Sequence, residues 1–456
     1  MTDLPAGWHT ESVNDLARGG LFIDGDWVES KDQDPNGTVR LTQLADVGVG
    51  EFRDRSNRWM REDQAKRLGC TFLQPGDVLI ARMPDPIGRA CLVPENIGRA
   101  VTAVDVAILR PARDDLDPRY LMWAINSPHV HECIASLQSG TTRKRVSRKN
   151  LATVGIPVPS LTEQKRIVEV LEEHLSRLDA GVDYLDAARR RCARYEDATI
   201  MRALGSTESR LDGVEQIING HLPALAEGWY WQPLGEVADV VGGVTKDAKK
   251  QSNLSYIEVP YLRVANVQRA RLDLENVTTL RVPPAKAEAL RLLKGDVLMN
   301  EGGDRDKLAR GWVWDGQIEE CIHQNHVFRA RPRDTMRSEW LAWCANTYGA
   351  RWAQRHGKQS VNLASISLKV IKTMPIPVPP LPEQDERLAL IHEAVSRSRR
   401  LIGEVEIGLA RADRLRRSLL TAAFSGRLTG VASDIERSEE IATEAIKAEV
   451  PEGVLF

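Results

Sequence analysis

Ile156-Pro157-Val158-Pro159-Ser160-Leu161-Thr162-Glu163-Gln164 returns 220 residues later as Ile376-Pro377-Val378-Pro379-Pro380-Leu381-Pro382-Glu383-Gln384. The offset holds upstream as well. RYLMWAINS (119–127) answers EWLAWCANT (339–347), which sets Trp123 against Trp343. Val146-Ser147 answers Ile366-Ser367, and Ala45-Asp46-Val47 answers Ala265-Asn266-Val267. Gly76-Asp77-Val78-Leu79 answers Gly295-Asp296-Val297-Leu298, and LPAGW (4–8) answers LAEGW (225–229), each with one residue of drift. Ordered matches at one offset mean a tandem duplication of about half the chain. Whatever fold one half takes, the other half takes too.

Within each half the pattern is the same. Short β-rich runs (GDVLIAR, ACLV, AVDVAIL; GDVLMN, HVFRARP) lie between turn signals, and PRYLMWAINSPHVHECIASL reads as helix. The predicted class is a mixed α/β module in two tandem copies, each followed by a long helix. Expected boundaries are a first module over 1–159, a helix over 160–205, a second module over 220–379 and a second helix over 380–428. An acid-rich, weakly ordered tail is expected over 429–456.

Proline lacks an amide donor and pushes its predecessor out of helical geometry, so Ile-Pro-Val-Pro predicts an extended exit strand. A helix should start directly after it. Ser160 and Glu163 have capping-box spacing, and Pro382 suits a first helical turn. Apolar positions then recur at Val168, Leu171, Leu175, Leu178, Val182 and Leu185, and again at Leu388, Ile391, Val395, Ile402, Val405 and Leu409. The 3-4 spacing makes a narrow seam suited to a partner helix. The nearest partner is the other copy, which predicts an intramolecular antiparallel coiled coil with pseudo-two-fold symmetry. An intermolecular coil, or helices lying on their own modules, are the alternatives.

Net charge is −2, which gives nucleic-acid binding no support by itself. The charge is unevenly placed, however: TTRKRVSRKN (141–150) holds five cations and no acid. The six cysteines are scattered without a CxxC pair, which predicts reduced thiols in a cytosol. No run reaches the length of a membrane helix, and MTDLPAGWHT shows no secretion signal.

The hinge-plus-helix pattern of Ile156–Gln164 and Ile376–Gln384, each after a Gly-Asp-Val-Leu module, resembles the specificity subunit of type I restriction-modification systems. Asn325-His326-Val327 and the closing SLLTAAFSGRLTG (418–430) add to it. The resemblance covers roughly residues 1–430. It implies that each module reads one half of a split, asymmetric site in double-stranded DNA. It also implies that the helices space the modules and dock two methyltransferase subunits. Such a chain has no catalytic site and no cofactor. S-adenosylmethionine belongs to the methyltransferase subunits, and ATP and Mg to the motor-nuclease subunits of the full cytoplasmic complex. The alternatives are a coiled-coil scaffold with non-specific DNA binding and a self-contained restriction enzyme.

The residues oppose the enzyme reading. No Asn/Asp-Pro-Pro-aromatic loop and no P-loop is present. Gly48-Val49-Gly50 has no glycine counterpart in the second copy, so it reads as a turn. Cys321, His323 and His326 lack a fourth metal ligand. Asp24-Gly25-Asp26 reads as a tight hairpin. The paired tryptophans 123/343 and 8/229 read as core. Phosphate and base contacts need cations on loops. Candidates in the first copy are Arg58 (within an Arg53–Arg61 run), Arg82, Arg89, Arg143, Lys144 and Arg145. In the second they are Lys246, Lys249, Arg305, Lys307, Arg310 and Lys358.

Overall fold

A computed structural model describes residues 4–84, 86–140, 144–205, 217, 222, 224–247, 251–253, 255–359 and 364–429. Two compact units divide the chain. One joins Met1–Asp186 with Glu406–Phe456, and the other is Ala187–Val405.

In the first unit the strands are β1 (His9–Ser12), β2 (Leu21–Asp24), β3 (Val39–Thr42), β4 (Trp59–Met60), β5 (Val78–Ala81), β6 (Ala90–Leu92), β7 (Ala100–Thr102), β8 (Val106–Arg110) and β9 (Gly155–Val158). An antiparallel sheet has the order β2-β8-β5-β6, and a mixed one the order β4-β3-β7 with β3 parallel to β7. Alternate residues of a strand point to opposite faces. Val78, Ile80, Ala107 and Leu109 therefore enter one apolar core, while Leu79, Ala81, Val106 and Ile108 enter another on the reverse face. A strand buried on both faces reads as an unbroken apolar run, which is why Val78–Ala81 shows no alternation.

The exit strand is real. β9 pairs antiparallel with β1, placing Pro157 opposite Thr10. The helical window after Asp117 splits into Pro118–Ile125 and Pro128–Ser136, because Pro128 starts a fresh helix. The first long helix then runs over Leu161–Ala203. Ser160 Oγ accepts the Glu163 amide at 3.4 Å, but the Glu163 carboxylate reaches Thr429 rather than back to the cap. The capping box is therefore half made.

The second unit repeats this plan with β10 (Tyr230–Pro233), β11 (Ala238–Gly242), β12 (Ile257–Leu262), β13 (Val267–Gln268), β14 (Arg271–Leu272), β15 (Thr278–Val282), β16 (Val297–Asn300), β17 (Gly302–Gly303), β18 (Gly311–Val313), β19 (Ile322–His323), β20 (Val327–Pro332), β21 (Lys358–Gln359), β22 (Ala364–Ser365) and β23 (Pro375–Val378). The order β11-β20-β16-β18 matches the first four-stranded sheet, and β15-β12-β19 matches the mixed one. β23 pairs with β10, and the second long helix covers Leu381–Phe424.

Each long helix is split between the units. In the first unit Asp179 is ion-paired with Arg416, and Gly408 lies against Leu185. In the second, Arg387 donates to the Ala203 carbonyl at 3.4 Å. Residue numbers rise along one helix as they fall along the other, so the pair is antiparallel. Val168, Leu171 and Leu175 join the first unit's core with Leu419, Leu420 and Phe424. Leu388, Ile391 and Val395 join the second unit's core with Ile200, Ala203 and Leu204. Val405 is buried, while Leu178, Val182, Leu185, Ile402 and Leu409 are half-buried. Gly205 and Gly426, both at positive φ, end the two helices in the left-handed conformation that suits glycine.

Of the proposed acidic tail, 429–456, all but Thr429 lies outside the described residues. Asp24-Gly25-Asp26 is not a hairpin. Gly25 donates to Val106 and Asp26 to Thr102, so the chain leaves β2 and crosses to another strand. All six cysteines are free. Among the described residues, no helix is long and apolar enough to cross a membrane.

Candidate nucleic-acid interface

The duplicated glutamine fixes each long helix to its module. Gln164 is fully buried. Its Nε2 donates to the Asp115 and Pro159 carbonyls, both at 3.0 Å, and its Oε1 accepts the Asp117 amide at 2.9 Å. Gln384 makes the same three bonds, to Thr335 and Pro379 at 2.9 Å and from Arg337 at 2.8 Å. One amide satisfies donors and acceptors that helix and loop would otherwise leave unpaired. The strand before it is held likewise: Tyr120 donates to the Pro157 carbonyl at 2.7 Å, and Trp340 to the Pro377 carbonyl at 2.9 Å.

On this frame each module carries an antiparallel pair of short segments just before its exit strand. In the first, Ser139 and Arg145 exchange backbone hydrogen bonds (2.9 and 3.0 Å), and Val146 donates to the Arg82 carbonyl at 3.0 Å. In the second, β21 pairs with β22, and Ile366 donates to the Glu301 carbonyl at 2.9 Å. Lys144, Arg145 and Lys358 are exposed on these segments, and Arg145 lies 3.9 Å from Asp105. Arg143 and Lys249 lie outside the described residues.

Arg58 is exposed and donates to Gln33 at 2.8 Å; its neighbours Arg53 and Arg55 are also exposed. Lys246 and Arg305 are exposed. Lys307 is half-buried and paired with Asp304, and Arg310 is half-buried.

Two candidates need correction. Arg82 is 2% exposed and Arg89 5%. Arg82 donates to the Val104 carbonyl at 2.6 Å and lies 3.3 Å from Asp24. Burial pushes its guanidinium down from the ordinary value, with Asp24 opposing. Arg89 donates to the carbonyls of Val47, Leu44, Pro86 and Met83 at 2.7–3.2 Å. Both guanidiniums stitch loops to the sheet and cannot reach a duplex. A buried arginine surrounded by carbonyls has no signature in sequence that separates it from a surface one.

Arg148, absent from the candidates, is exposed and donates to the Phe22 carbonyl at 3.2 Å. The basic run 141–150 was the signal for it. Trp27, 71% exposed, had no signal.

The metal-like triplet does not converge. His323 is buried and bonded through Nδ1 to the Val327 carbonyl at 2.7 Å, whereas His326 faces Glu301 at 3.2 Å. Among the described residues, no group of three His, Cys, Asp or Glu could hold a metal ion. Gly48–Glu51 is a turn closed by a 2.9 Å hydrogen bond, with Gly50 pressed against the Trp123 ring. Trp123, Trp343 and Trp229 are buried, and Trp8 packs on the first core.

The profile of the type I restriction modification DNA specificity domain matches residues 13–181 and 226–398. The StySPI specificity subunit of Salmonella potsdam is 25% identical over 93% of this chain and 90% of its own length. The EcoBI specificity subunit of Escherichia coli is 21% identical over 92% of this chain and 85% of its own. A solved chain described under complex assembly and conformational transition of the type I R-M system is similar in fold. It has a TM-score of 0.72 and 20% identity, over 93% of this chain and 100% of that one. The HsdS subunit from Thermoanaerobacter tengcongensis has a TM-score of 0.51 and 19% identity, over 93% and 98%.

Proposed function

The chain belongs to the type I restriction modification DNA specificity family, and from that premise we propose that it is the sequence-reading subunit of such a complex. Each module reads one half of a split, asymmetric site in double-stranded DNA. The observation that carries this reading is the twofold repetition of one anchored frame. Gln164 and Gln384 make the same three bonds, and each frame carries an antiparallel pair of short segments with exposed cations. Two equal frames with different loops suit two different half-sites.

The exposed cations hold phosphates and set register, while loop side chains read base edges. Each contact is weak, but two readers on one chain reinforce one another, because binding of the first raises the effective concentration of the second. The paired long helices set the distance between half-sites and present their exposed faces to two methyltransferase subunits. Those subunits supply S-adenosylmethionine chemistry, and motor-nuclease subunits supply ATP- and Mg-dependent cleavage in the cytoplasm. This chain performs no chemistry of its own.

Selection of the purified chain against a pool of random duplexes tests the reading. A split motif with a constant spacer is expected. Enrichment without sequence preference would instead mean a scaffold that binds DNA non-specifically.

A further inference from the structure

Ala45-Asp46-Val47 and Ala265-Asn266-Val267 hold matched places in the two modules. Each triplet closes a tight turn (Leu44–Asp46, Val264–Asn266) and opens a small hairpin, in which Val47 pairs with Phe52 and Val267 with Leu272. The chain then returns to the same anchor. The Arg53 amide donates to the Asp46 carbonyl at 2.7 Å, and the Asp273 amide to the Asn266 carbonyl at 2.8 Å. The backbone is repeated, but the chemistry of the two anchoring side chains is not.

Asp46 is fully buried. Its Oδ1 accepts the amides of Arg55 and Ser56, both at 2.7 Å. Its Oδ2 accepts the Gln43 amide at 2.7 Å and the Ser56 hydroxyl. The Arg40 guanidinium lies 3.6 Å from Oδ1. Asn266 is also buried. Its Oδ1 accepts the Arg263 amide at 2.9 Å, while its Nδ2 donates to the carbonyls of Asp273 at 2.9 Å and Asn276 at 3.2 Å. One loop therefore turns its amides inward and the other its carbonyls.

Neither anchor suits the other loop. Both oxygens of Asp46 face backbone N–H groups, so an asparagine there points its own N–H₂ at a donor in either orientation. An aspartate at 266 points an oxygen at two carbonyl oxygens. The unmatched buried groups lose the net worth of their hydrogen bonds and keep the desolvation penalty.

We propose that Asp46 and Asn266 are positioning residues that give the two modules loops of opposite backbone polarity, and so fix which bases each half reads. The inference rests on the DNA-reading function above. Asp46 shapes the loop that exposes Arg53, Arg55 and Arg58, and Asn266 the loop that exposes Arg269 and Arg271. Neither anchor touches solvent enough to meet DNA itself.

The test is selection of the full-length chain from random duplexes, with thermal unfolding alongside. Asp46→Asn is expected to lower enrichment of one half of the split motif roughly tenfold or more and to spare the other half. Asn266→Asp is expected to do the reverse. Asp77→Asn, in the same module as Asp46 but bonded away from this loop, lowers the melting temperature and returns the unaltered motif. Should Asp46→Asn fail to fold, Ser56→Ala removes one partner of the carboxylate and is expected to weaken the same half roughly threefold. Folded Asp46 or Asn266 variants that keep both halves unchanged, or lose both alike, overturn the inference. An unaltered chain that selects no split motif overturns the proposed function, and the inference falls with it.

Discussion

Arg110 clasps Asp77 through two parallel hydrogen bonds, Nε to Oδ1 and Nη2 to Oδ2, both 2.6 Å, with the carboxylate buried. Asp77 also accepts the Gln74 amide at 2.8 Å, so that the fork ties a closed Gly-Asp-Val-Leu turn to β8 through Arg110. Arg331 and Asp296 repeat the fork at 2.7 and 2.9 Å. Removing one member of such a pair leaves the other without a partner. Asp77→Ala is expected to cost about 2–4 kcal/mol of the first unit's stability, read by urea unfolding. A loss below about 0.5 kcal/mol would show the fork to be idle.

Gln164 makes three hydrogen bonds from a fully buried position. Gln164→Leu leaves an amide and two carbonyls unsatisfied, for an expected loss of about 2–3 kcal/mol. Hydrogen exchange should locate the damage at the start of the first long helix, Leu161 onward. Unchanged protection of that turn would count against the glutamine as its anchor.

Lys144 and Arg145 are expected to bind phosphate. Replacing either with alanine should weaken all DNA sequences about equally and lower the slope of log affinity against log salt by about one. Arg82→Ala should act differently. It opens the first module's loops and lowers its melting temperature, because its guanidinium bonds protein carbonyls. Equal salt slopes for Lys144→Ala and the unaltered chain would remove Lys144 from the interface.

His323 sits in the second module with its imidazole driven down to about 4, chiefly by burial, against the raising effect of its bond to the Val327 carbonyl. The folded state therefore keeps the ring neutral where the unfolded chain, titrating near 6.5, takes up a proton. Stability is full above pH 6.5 and declines as pH falls toward 4, by at most about 3 kcal/mol. Chemical denaturation from pH 7.5 to 4.5 should show the decline in the unaltered chain and a shallower one in His323→Gln.

Both long helices carry the proposed spacer. Deleting one heptad from each shortens the pair by about 10 Å, or roughly three base pairs. Methylation mapping in cells should then show both half-sites intact around a shorter gap. An unchanged gap would separate spacer length from the helices.

The features legible in sequence were those that recur. The 220-residue offset fixed which elements had to match, and the Ile-Pro-Val-Pro strands and 3-4 seams followed from proline's missing donor and helical periodicity. Sidedness was not legible. Arg82 and Arg89 lie within basic-looking loops but point inward, because strand order, which only long-range pairing decides, surrounds them with carbonyls. Glu163 has the spacing of a capping residue, yet Thr429 competes for it from 266 residues away. Asp46 and Asn266 occupy matched positions at the 220-residue offset. Their opposed polarity emerged only with the loops that wrap them.

The ring of Phe424 lies 5.3 Å from that of Tyr120, in the core of the first unit. About 300 residues separate them, which a ribosome takes roughly 15–60 s to add. Throughout that interval the newborn first module has an uncovered apolar side. It is in those seconds, and at that side, that a chaperone would find its client.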